Sequence, residues 1–373
     1  MAVCGNPENR HGIILAKNEL AKAYGIVTAE TVWQAQKKCP QLVLVPPNHA
    51  EYRAVSKRIN AIYQQYTDMV EPFSIDESWL DVTGSRKLFG DGKTIADELR
   101  QRVREEIGVT ISVGVSFNKV FAKMGSDYKK PDATTVITRA NYKRLLFPLL
   151  VTDMLFVGKS AAEKLAKMHI ATIGDLAQSD QTRLSLALGK LGETIWEYAN
   201  GLEDSPVRRF DEEREIKSVG NGMTFRRNLE GLEDIKTGVL ALADSVAMRL
   251  RKDGLQCWGV QVTIKDPEFR VISRQRQLNH ATDLAKEISE EVLKLVLEAW
   301  KLEQPIRMLT VTAIHLTGQD TGYQTNLFAP DAAEKNEKQE KLEAAMDAIR
   351  GKYGKGAVRW GRTMKNDLGI DED

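Results

Sequence analysis

Residues Val70 to Thr83, V-E-P-F-S-I-D-E-S-W-L-D-V-T, decide how this chain is interpreted. Two stretches rich in β-forming residues, Val70 to Ile75 and Ser78 to Thr83, flank the adjacent carboxylates Asp76 and Glu77. This pattern predicts a β-hairpin with both acids at its bend. Carboxylates placed in this way can bind a hard divalent cation such as Mg²⁺, which prefers oxygen ligands and shares substrate phosphates. A solvated Asp-Glu turn is the alternative, because turns favour Asp for local hydrogen bonding.

Composition narrows the class of protein. The 373 residues are enough for several domains. The 53 basic and 52 acidic residues almost cancel, so an argument for a polyanionic partner must be local. Three cysteines, Cys4, Cys39 and Cys257, lie far apart, which argues against a zinc site and indicates a reducing, cytoplasmic environment. The sequence contains no apolar stretch of about 18 residues or more, so we expect no membrane association.

The elements around the acidic hairpin follow the order of a ferredoxin-like sheet. A helix from Tyr52 to Tyr66 precedes the hairpin, and a helix from Lys93 to Ile107 and a strand from Val109 to Ser116 follow it. This order, α-β-β-α-β, is a split β-α-β unit that lacks its first strand. We expect a small α/β unit before it, and short helices over 157–165, 170–176 and 184–200 after it.

A second α/β unit is predicted in the last third of the chain. The polar segment from Glu203 to Glu215 reads as a linker. A complete β-α-β-β-α-β pattern follows, with strands over 216–225, 258–265, 270–277 and 307–316 and helices over 233–252 and 283–300. From Thr317 onward apolar content falls, so we expect a mobile tail with one helix near Glu334 to Arg350. The chain is therefore predicted to be a multi-domain α+β protein.

Several lysines are candidates for binding phosphate. Ser116 to Pro131, S-F-N-K-V-F-A-K-M-G-S-D-Y-K-K-P, places Lys119 and Lys123 one helical turn apart, with Lys130 just beyond the helix. Lys22, in the first α/β unit, is a candidate of the same type. Such lysines can neutralise a triphosphate or a nucleic-acid backbone, and the alternative is a solvated helix face.

A helix start and a strand offer further phosphate contacts. Gly158 and Lys159, in F-V-G-K-S, open a helix whose N-terminus can face a phosphate, unless it is an ordinary helix start. Arg270, Arg274 and Arg276 share strand parity and therefore one sheet face, which can bind a nucleic-acid backbone or simply add solubility.

The polar tail contains a short peptide, Q-T-N-L-F, from Gln324 to Phe328. Its Leu327 and Phe328 have no core to enter in a polar segment. We expect the peptide to dock in an apolar pocket of a partner protein, and folding back onto the body is the alternative.

Together these motifs resemble a Y-family (translesion) DNA polymerase of the UmuC/DNA polymerase IV type over nearly the whole chain. The matching segments are S-I-D-E at 74–77, S-F-N-K-V-F-A-K with K-K-P within 116–131, V-G-K-S-A-A-E-K-L with T-I-G-D-L within 157–176, and K-S-V-G-N-G-M-T-F at 217–225. The resemblance implies a right-hand polymerase with small fingers at 1–48, a ferredoxin-like palm at 49–138, a helical thumb at 139–206, a linker at 207–212, a little finger at 213–320 and a tail at 321–373.

The resemblance also implies roles for individual residues. Asp76 would bridge two Mg²⁺ ions, and Glu77 would help to hold the ion that activates the primer 3′-hydroxyl. Lys130 matches the family's triphosphate-binding lysine, and Lys22 stands where the family usually has an arginine. Primer-template DNA and dNTPs would be the substrates, and the protein would act as a cytoplasmic monomer.

Further residues would contact DNA or a protein partner. The DNA-binding set is Lys119, Lys123, Gly158, Lys159, Arg270, Arg274 and Arg276. The peptide in the tail resembles a sliding-clamp-binding motif, and its anchors would be Gln324, Leu327 and Phe328.

Three departures from the family pattern affect the expected activity. Family members begin with a palm strand that carries the first metal-binding aspartate and then the aromatic residue that excludes ribonucleotides, and this chain starts after both. Glu19 stands where a triphosphate-binding tyrosine is common, and Phe156 replaces a usual thumb glycine. With two of three metal carboxylates, the chain as written is expected to be inactive or severely impaired. No proofreading is expected, because the chain leaves no room for an exonuclease domain.

Two other functions remain open at the level of sequence. A non-catalytic DNA- and sliding-clamp-binding protein would bind DNA even after Asp76→Ala and would incorporate no nucleotide. A nucleotide cyclase also places paired acids on a palm-like hairpin. The second β-α-β-β-α-β unit and the paired-helix phosphate site argue against a cyclase.

Overall fold

The computed structural model describes residues 1–6, 12–212, 215–318, 330–364 and 366–370. The chain forms two compact units, one of residues 48–213 and one of residues 1–47 with 214–373. Within the described ranges, no helix is both long and apolar enough to cross a membrane. Helices and strands are mixed throughout, which confirms the predicted α+β class.

The first 47 residues fold around a three-stranded sheet. Strand β1 pairs antiparallel with β2 and parallel with β3. The Thr31 side chain and Gln34 form a capping box that starts the second helix at Val32. The predicted small α/β unit is confirmed, and its elements are β1 Ala2–Cys4, β2 Ile14–Lys17, α1 Glu19–Ala23, α2 Val32–Lys38 and β3 Leu44–Val45.

The palm region has the predicted order of helices and strands. Strands β4 and β5 form an antiparallel pair, while β6 and β7 form a separate parallel pair. Among the described residues no strand joins the two pairs into one palm sheet. The elements are α3 His49–Tyr63, β4 Val70–Pro72, β5 Ser78–Leu80, α4 Arg86–Phe89, α5 Gly92–Ile107, β6 Val113–Val115, α6 Lys119–Tyr128 and β7 Thr134–Val136.

Helix α6 lies directly against β6 because one glycine removes the side chain between them. A Cβ atom on Gly114 would overlap the carbonyl oxygen of Ala122 and would lie 2.6 Å from the backbone nitrogen of Ser126. We expect Gly114→Ala to lower the free energy of unfolding by about 1–3 kcal/mol, because overpacking forces backbone shifts. Urea unfolding of the two proteins measures this difference. Gly84→Ala is the matched control, since its Cβ would meet no atom within 4 Å, and equal stability of the Gly114 and Gly84 variants would contradict the prediction.

The thumb is helical and shares its core with the palm helix α6. Phe121 of α6 is fully buried in the same cluster as Leu165 and Ile173 of the thumb. The predicted single helical run over 184–200 is wrong, because Gly189, with φ +64°, separates two helices there. The thumb helices are α7 Tyr142–Leu146, α8 Lys159–Lys167, α9 Ile173–Gln178, α10 Gln181–Leu188 and α11 Lys190–Ala199.

The little finger has the complete β-α-β-β-α-β order that the sequence predicted. Its four antiparallel strands lie in the order β10-β9-β11-β8, and helices α12 and α13 pack on one face of the sheet. The elements are β8 Ser218–Leu229, α12 Gly231–Lys252, β9 Leu255–Lys265, β10 Val271–Thr282, α13 Ala285–Ala299 and β11 Ile306–Gly318.

The expectation of a mobile tail is wrong for its described residues. Helix α14, Pro330–Tyr353, contains the predicted helix. Its Glu343 is 1% exposed and accepts a hydrogen bond from Arg251 of α12 at 2.6 Å. Further on, Leu368 is buried in the little-finger core. The low apolar content of this segment predicted mobility because ion pairs cannot be read from composition. In the structure, ion pairs with α12 anchor the segment and a few apolar residues complete its packing.

Candidate functional site

The two predicted acids lie together at the bend between β4 and β5. The backbone N–H of Phe73 donates to the carbonyl of Glu77 at 2.8 Å and closes the turn. The Ser74 hydroxyl donates to Asp76 Oδ1 at 2.7 Å and lies 3.4 Å from Glu77 Oε2. Asp76 is exposed and Glu77 is half-buried. This pair of carboxylates, oriented by one serine, offers the hard oxygen donors that Mg²⁺ requires.

A chain of alternating charges leads away from the bend. Lys123 of α6 pairs with Glu77 at 2.9 Å and also with Asp127, which in turn pairs with Lys130. Burial alone would lower the pKa of Lys123, but hydrogen bonds to Asp127 and Glu77 raise it, so the ammonium stays charged. Lys123 is therefore an internal partner of Glu77, and its DNA contact stays a prediction. Lys130 keeps 55% of its side chain exposed, and its phosphate contact stays a prediction.

Lys119 also has an internal partner, and its DNA contact stays a prediction. Its ammonium lies 2.6 Å from Glu71 Oε2, and only 12% of the side chain is exposed. Its backbone carbonyl accepts a hydrogen bond from Trp79 Nε1 at 2.9 Å, which ties α6 to β5. Helical spacing placed Lys119 and Lys123 on one face, but it could not indicate that this face meets the acids of the hairpin.

Glu71 should make stability depend on pH in the acid range. Burial alone would raise the pKa of Glu71, but hydrogen bonds from Lys119 and Arg208 lower it from 4.5 to about 2. A depressed folded-state pKa adds stability that is complete above pH 4.5 and is lost as pH falls towards 2. We expect Glu71→Gln to flatten the fall of Tm over this range, as thermal unfolding at several pH values would measure. Parallel Tm curves for the two proteins would contradict this.

The thumb motif places Gly158 and Lys159 at a helix N-terminus, as predicted. Gly158 is the N-cap of α8, no side chain caps it, and both residues are exposed. The preceding Phe156 has φ +68°, a backbone conformation that suits glycine. Its side chain is 55% exposed. DNA contacts by Gly158 and Lys159 stay predictions.

The three arginines of the little finger do not share one face of the sheet, and their DNA contacts stay predictions. Arg274 and Arg276 pair with Val262 and Val260 of β9, whose side chains are buried on the helix side of the sheet. Arg276 pairs there with Glu298 of α13 at 2.7 Å. Arg274 and Arg276 lie on the same face of the sheet, as their strand parity predicted, but this is the face that the helices cover.

Arg270 differs from the other two arginines. It lies in the turn before β10 and pairs with Asp266 at 2.6 Å. The strand had been predicted to begin at Arg270, and this boundary is corrected to Val271.

The open face of the same sheet was missed by the sequence argument. Cross-strand pairing places Thr263 beside Ser273 and Thr310, and Gln261 beside Gln275 and Thr312. Two glycines of β8 continue these rows, and Lys265 lies at one end. Strand alternation could have revealed this face, since these residues occupy the positions opposite the buried ones; they are Gly220, Gly222, Gln261, Thr263, Lys265, Ser273, Gln275, Thr310 and Thr312.

The remaining predicted residues stay untested. Lys22 pairs with Glu19 at 3.6 Å on an exposed surface, so a phosphate contact by Lys22 stays a prediction. Gln324, Leu327 and Phe328 lie outside the described residues. Over the part of the chain that the structure describes, no group of three or more His, Cys, Asp or Glu is arranged to hold a metal ion.

An acidic palm hairpin, a helical thumb and an attached β-α-β-β-α-β unit define the class of protein as a Y-family DNA polymerase. The chain belongs to the impB/mucB/samB family, whose model matches residues 1–127 and whose C-terminal domain model matches residues 216–327.

Named relatives agree with this family. DNA polymerase IV of Acetivibrio thermocellus is 46% identical over 371 residues, covering 100% of this chain and 92% of the relative. DNA polymerase IV 1 of Bacillus subtilis is 35% identical and covers 98% of this chain and 87% of the relative. The fold resembles a Y-family DNA polymerase chimera with a TM-score of 0.72, at 23% identity, covering 84% of this chain and 91% of the chimera.

Proposed function

We propose that this chain is a template-directed DNA polymerase for translesion synthesis. The observation that carries this proposal is the acidic bend, where Asp76 and Glu77 lie side by side on a hairpin held against α6. Family membership supports the same activity. The reaction is transfer of a nucleotidyl group from a dNTP to a primer 3′-hydroxyl, with release of pyrophosphate.

The residues at the bend fit a divalent cation. Asp76 and Glu77 would hold it, because both carboxylates carry hard oxygen donors. When bound, the metal would stabilise the charge that develops on the phosphate oxygens. Ser74 orients the Asp76 carboxylate, and Lys130 would bind the triphosphate. We propose two Mg²⁺ ions as the cofactor, as the family resemblance implies.

Binding of primer-template DNA is assigned to two surfaces. The N-terminus of α8, with Gly158 and Lys159, would bind a phosphate through backbone N–H groups. The open face of the little-finger sheet would follow the DNA backbone, because its hydroxyl and amide side chains donate hydrogen bonds and Gly220 and Gly222 allow close approach. None of the nine described residues named above for this face is acidic. Such contacts would be independent of base sequence, as copying any template requires.

A sliding clamp is the proposed protein partner. Gln324, Leu327 and Phe328 would anchor the peptide in an apolar pocket of the clamp. We also propose that the protein acts in the cytoplasm as a monomer.

Primer extension tests the proposed function. The chain is given a primer-template, four dNTPs and Mg²⁺ or Mn²⁺, and products are followed by gel electrophoresis. We expect template-dependent addition of nucleotides that is slow, because the site has two of the family's three metal carboxylates, and that weakens at low metal concentration. Tight DNA binding without any addition under either metal would overturn the proposal in favour of a non-catalytic DNA-binding protein.

Removal of Lys123 should strengthen metal binding at the bend. Its ammonium lies 2.9 Å from Glu77 Oε1, and a positive charge there opposes a cation. We expect Lys123→Gln to lower the Kd for Mn²⁺ by roughly fivefold, since one nearby charge contributes about 1 kcal/mol in a solvated site. Electron paramagnetic resonance of free Mn²⁺ measures this. Lys167→Gln on α8 is the control, and equal or weaker binding by the Lys123 variant would count against the assignment.

A further inference from the structure

The segment that leaves the thumb lies against the palm before it reaches the little finger. Glu203 accepts a hydrogen bond from the backbone N–H of Lys119 at 3.1 Å. The backbone N–H of Arg208 donates to Glu71 Oε2 at 3.0 Å. The backbone N–H of Phe210 donates to the carbonyl of Asp68 at 3.1 Å. Residues 203–210 are therefore attached to the palm at three places, although the sequence had predicted a free linker from Glu203.

Glu71 is the centre of this attachment. Its side chain is 6% exposed, and both of its oxygens accept hydrogen bonds. Arg208 Nη2 lies 3.0 Å from Oε1, and Lys119 Nζ lies 2.6 Å from Oε2. A carboxylate this deeply buried costs free energy unless every partner is in place, so loss of Arg208 is not easily compensated.

A second ion pair nearby contributes less. Arg209 lies 2.6 Å from Asp68, but both side chains are more than half exposed. Exposed pairs of this kind contribute little, because solvent screens them. Arg208 and Glu71 therefore dominate the side-chain part of the attachment.

We propose that Arg208 and Glu71 act as a positioning pair that fixes the length of the tether to the little finger. This inference rests on the proposed binding of one DNA duplex by the thumb and the little finger. In the sequence, seven residues, 211–217, lie between Phe210, the last of the described residues of this segment that is bonded to the palm, and the start of β8 at Ser218. When loss of the pair also releases the backbone bonds made by Arg208 and Phe210, the tether begins after Glu203 and has fourteen residues, 204–217.

The change in tether length has a calculable effect on DNA binding. The effective concentration of a linked binding unit falls roughly as the −3/2 power of tether length. Doubling the tether therefore lowers it about threefold. Glu71 lies on β4, the strand that leads into the acidic bend, so the tether is attached close in sequence to the acids that would act on the primer.

Limited proteolysis without DNA tests the attachment. Phe210 is 44% exposed, so its ring is accessible to chymotrypsin, and attachment of the backbone controls cleavage after it. Arg208→Ala removes the guanidinium contact to Glu71 Oε1 but keeps the backbone N–H at position 208. It also leaves the Lys119–Glu71 pair intact, which guards against unfolding of the palm. We expect cleavage after Phe210 to become about tenfold faster, as fragment masses would show. Arg183→Ala, an exposed arginine on α10, is the control.

Affinity for a primer-template duplex tests the positioning role. We expect Arg208→Ala to raise Kd about threefold, and Arg208→Lys to restore most of the affinity because a cation again faces Glu71. Unchanged cleavage in Arg208→Ala would overturn the attachment, and faster cleavage with unchanged affinity would overturn positioning. If the unaltered chain bound no DNA, the proposed function and with it the positioning role would fail, while proteolysis would still decide the attachment.

Discussion

Replacing Asp76 by alanine is expected to lower metal-dependent primer extension by about 10³-fold, because metal-stabilised charge contributes several kcal/mol and each 1.36 kcal/mol is tenfold in rate. Asp76 is the exposed carboxylate of the bend, and Ser74 already orients it. The remaining Glu77 pairs with Lys123, so it cannot replace the lost ligand without breaking that pair. Binding of primer-template DNA should stay within about twofold, because the DNA-binding surfaces lie on other elements.

Single-turnover extension and DNA affinity measured on the same samples separate these effects. Asp153→Ala, which removes an exposed acid from the thumb, is the matched control. Extension by the Asp76 variant at the rate of the unaltered chain would show that other groups hold the catalytic metal. A loss of DNA affinity as large as the loss of rate would show that the substitution disturbed the fold.

Replacing Glu343 by alanine is expected to lower the stability of the little finger by about 3 kcal/mol, the cost of breaking a buried ion pair. Glu343 is 1% exposed and accepts from Arg251 at 2.6 Å and from the backbone N–H of Ala285 at 2.9 Å. Without it, the Arg251 guanidinium, 12% exposed, keeps Asp347 as a partner but loses its nearest one. Ala285, the first residue of α13, loses an acceptor at the same time.

Hydrogen exchange of the little-finger strands measures this loss directly. Glu337→Ala removes an acid from the same helix, where it pairs with Lys341 on an exposed surface, and it should change stability by less than about 0.5 kcal/mol. Equal protection of the strands in the Glu343 and Glu337 variants would show that the C-terminal helix does not stabilise the sheet. Normal protection of the amide hydrogens of α12 together with reduced protection of those of β9 would show that the Glu343 variant loses stability in only part of the little finger.

The sequence was most informative where local patterns are regular. Amphipathic periodicity predicted the long helices α5 and α12 to within about two residues, because buried positions recur every three or four residues. The thumb helix was predicted as one run, and Gly189 divides it. A glycine inside a helical pattern is compatible with either outcome, so the pattern alone could not place the break.

For the candidate site, the sequence identified residues but not their partners. Asp76 and Glu77 were expected at a bend, and they lie there. Lys119 and Lys123 were expected to face DNA, yet they pair with Glu71 and Glu77. The charges of these four residues are evident in the sequence. Their pairing depends on how α6 packs across the hairpin, which is a contact between residues about fifty positions apart.

What the sequence by itself determined is the order of elements, the α+β class and the acidic hairpin, because these depend on short-range periodicity and turn chemistry. Only the tertiary structure decided which sheet face carries Arg274 and Arg276, how Arg208 is held and where the C-terminal helix docks. Strand parity gives two equivalent faces, and the helices that cover one of them come from elsewhere in the chain. The sequence likewise does not show whether a charged side chain faces solvent or an oppositely charged partner. Only its burial beside an opposite charge in the folded protein distinguishes the two cases.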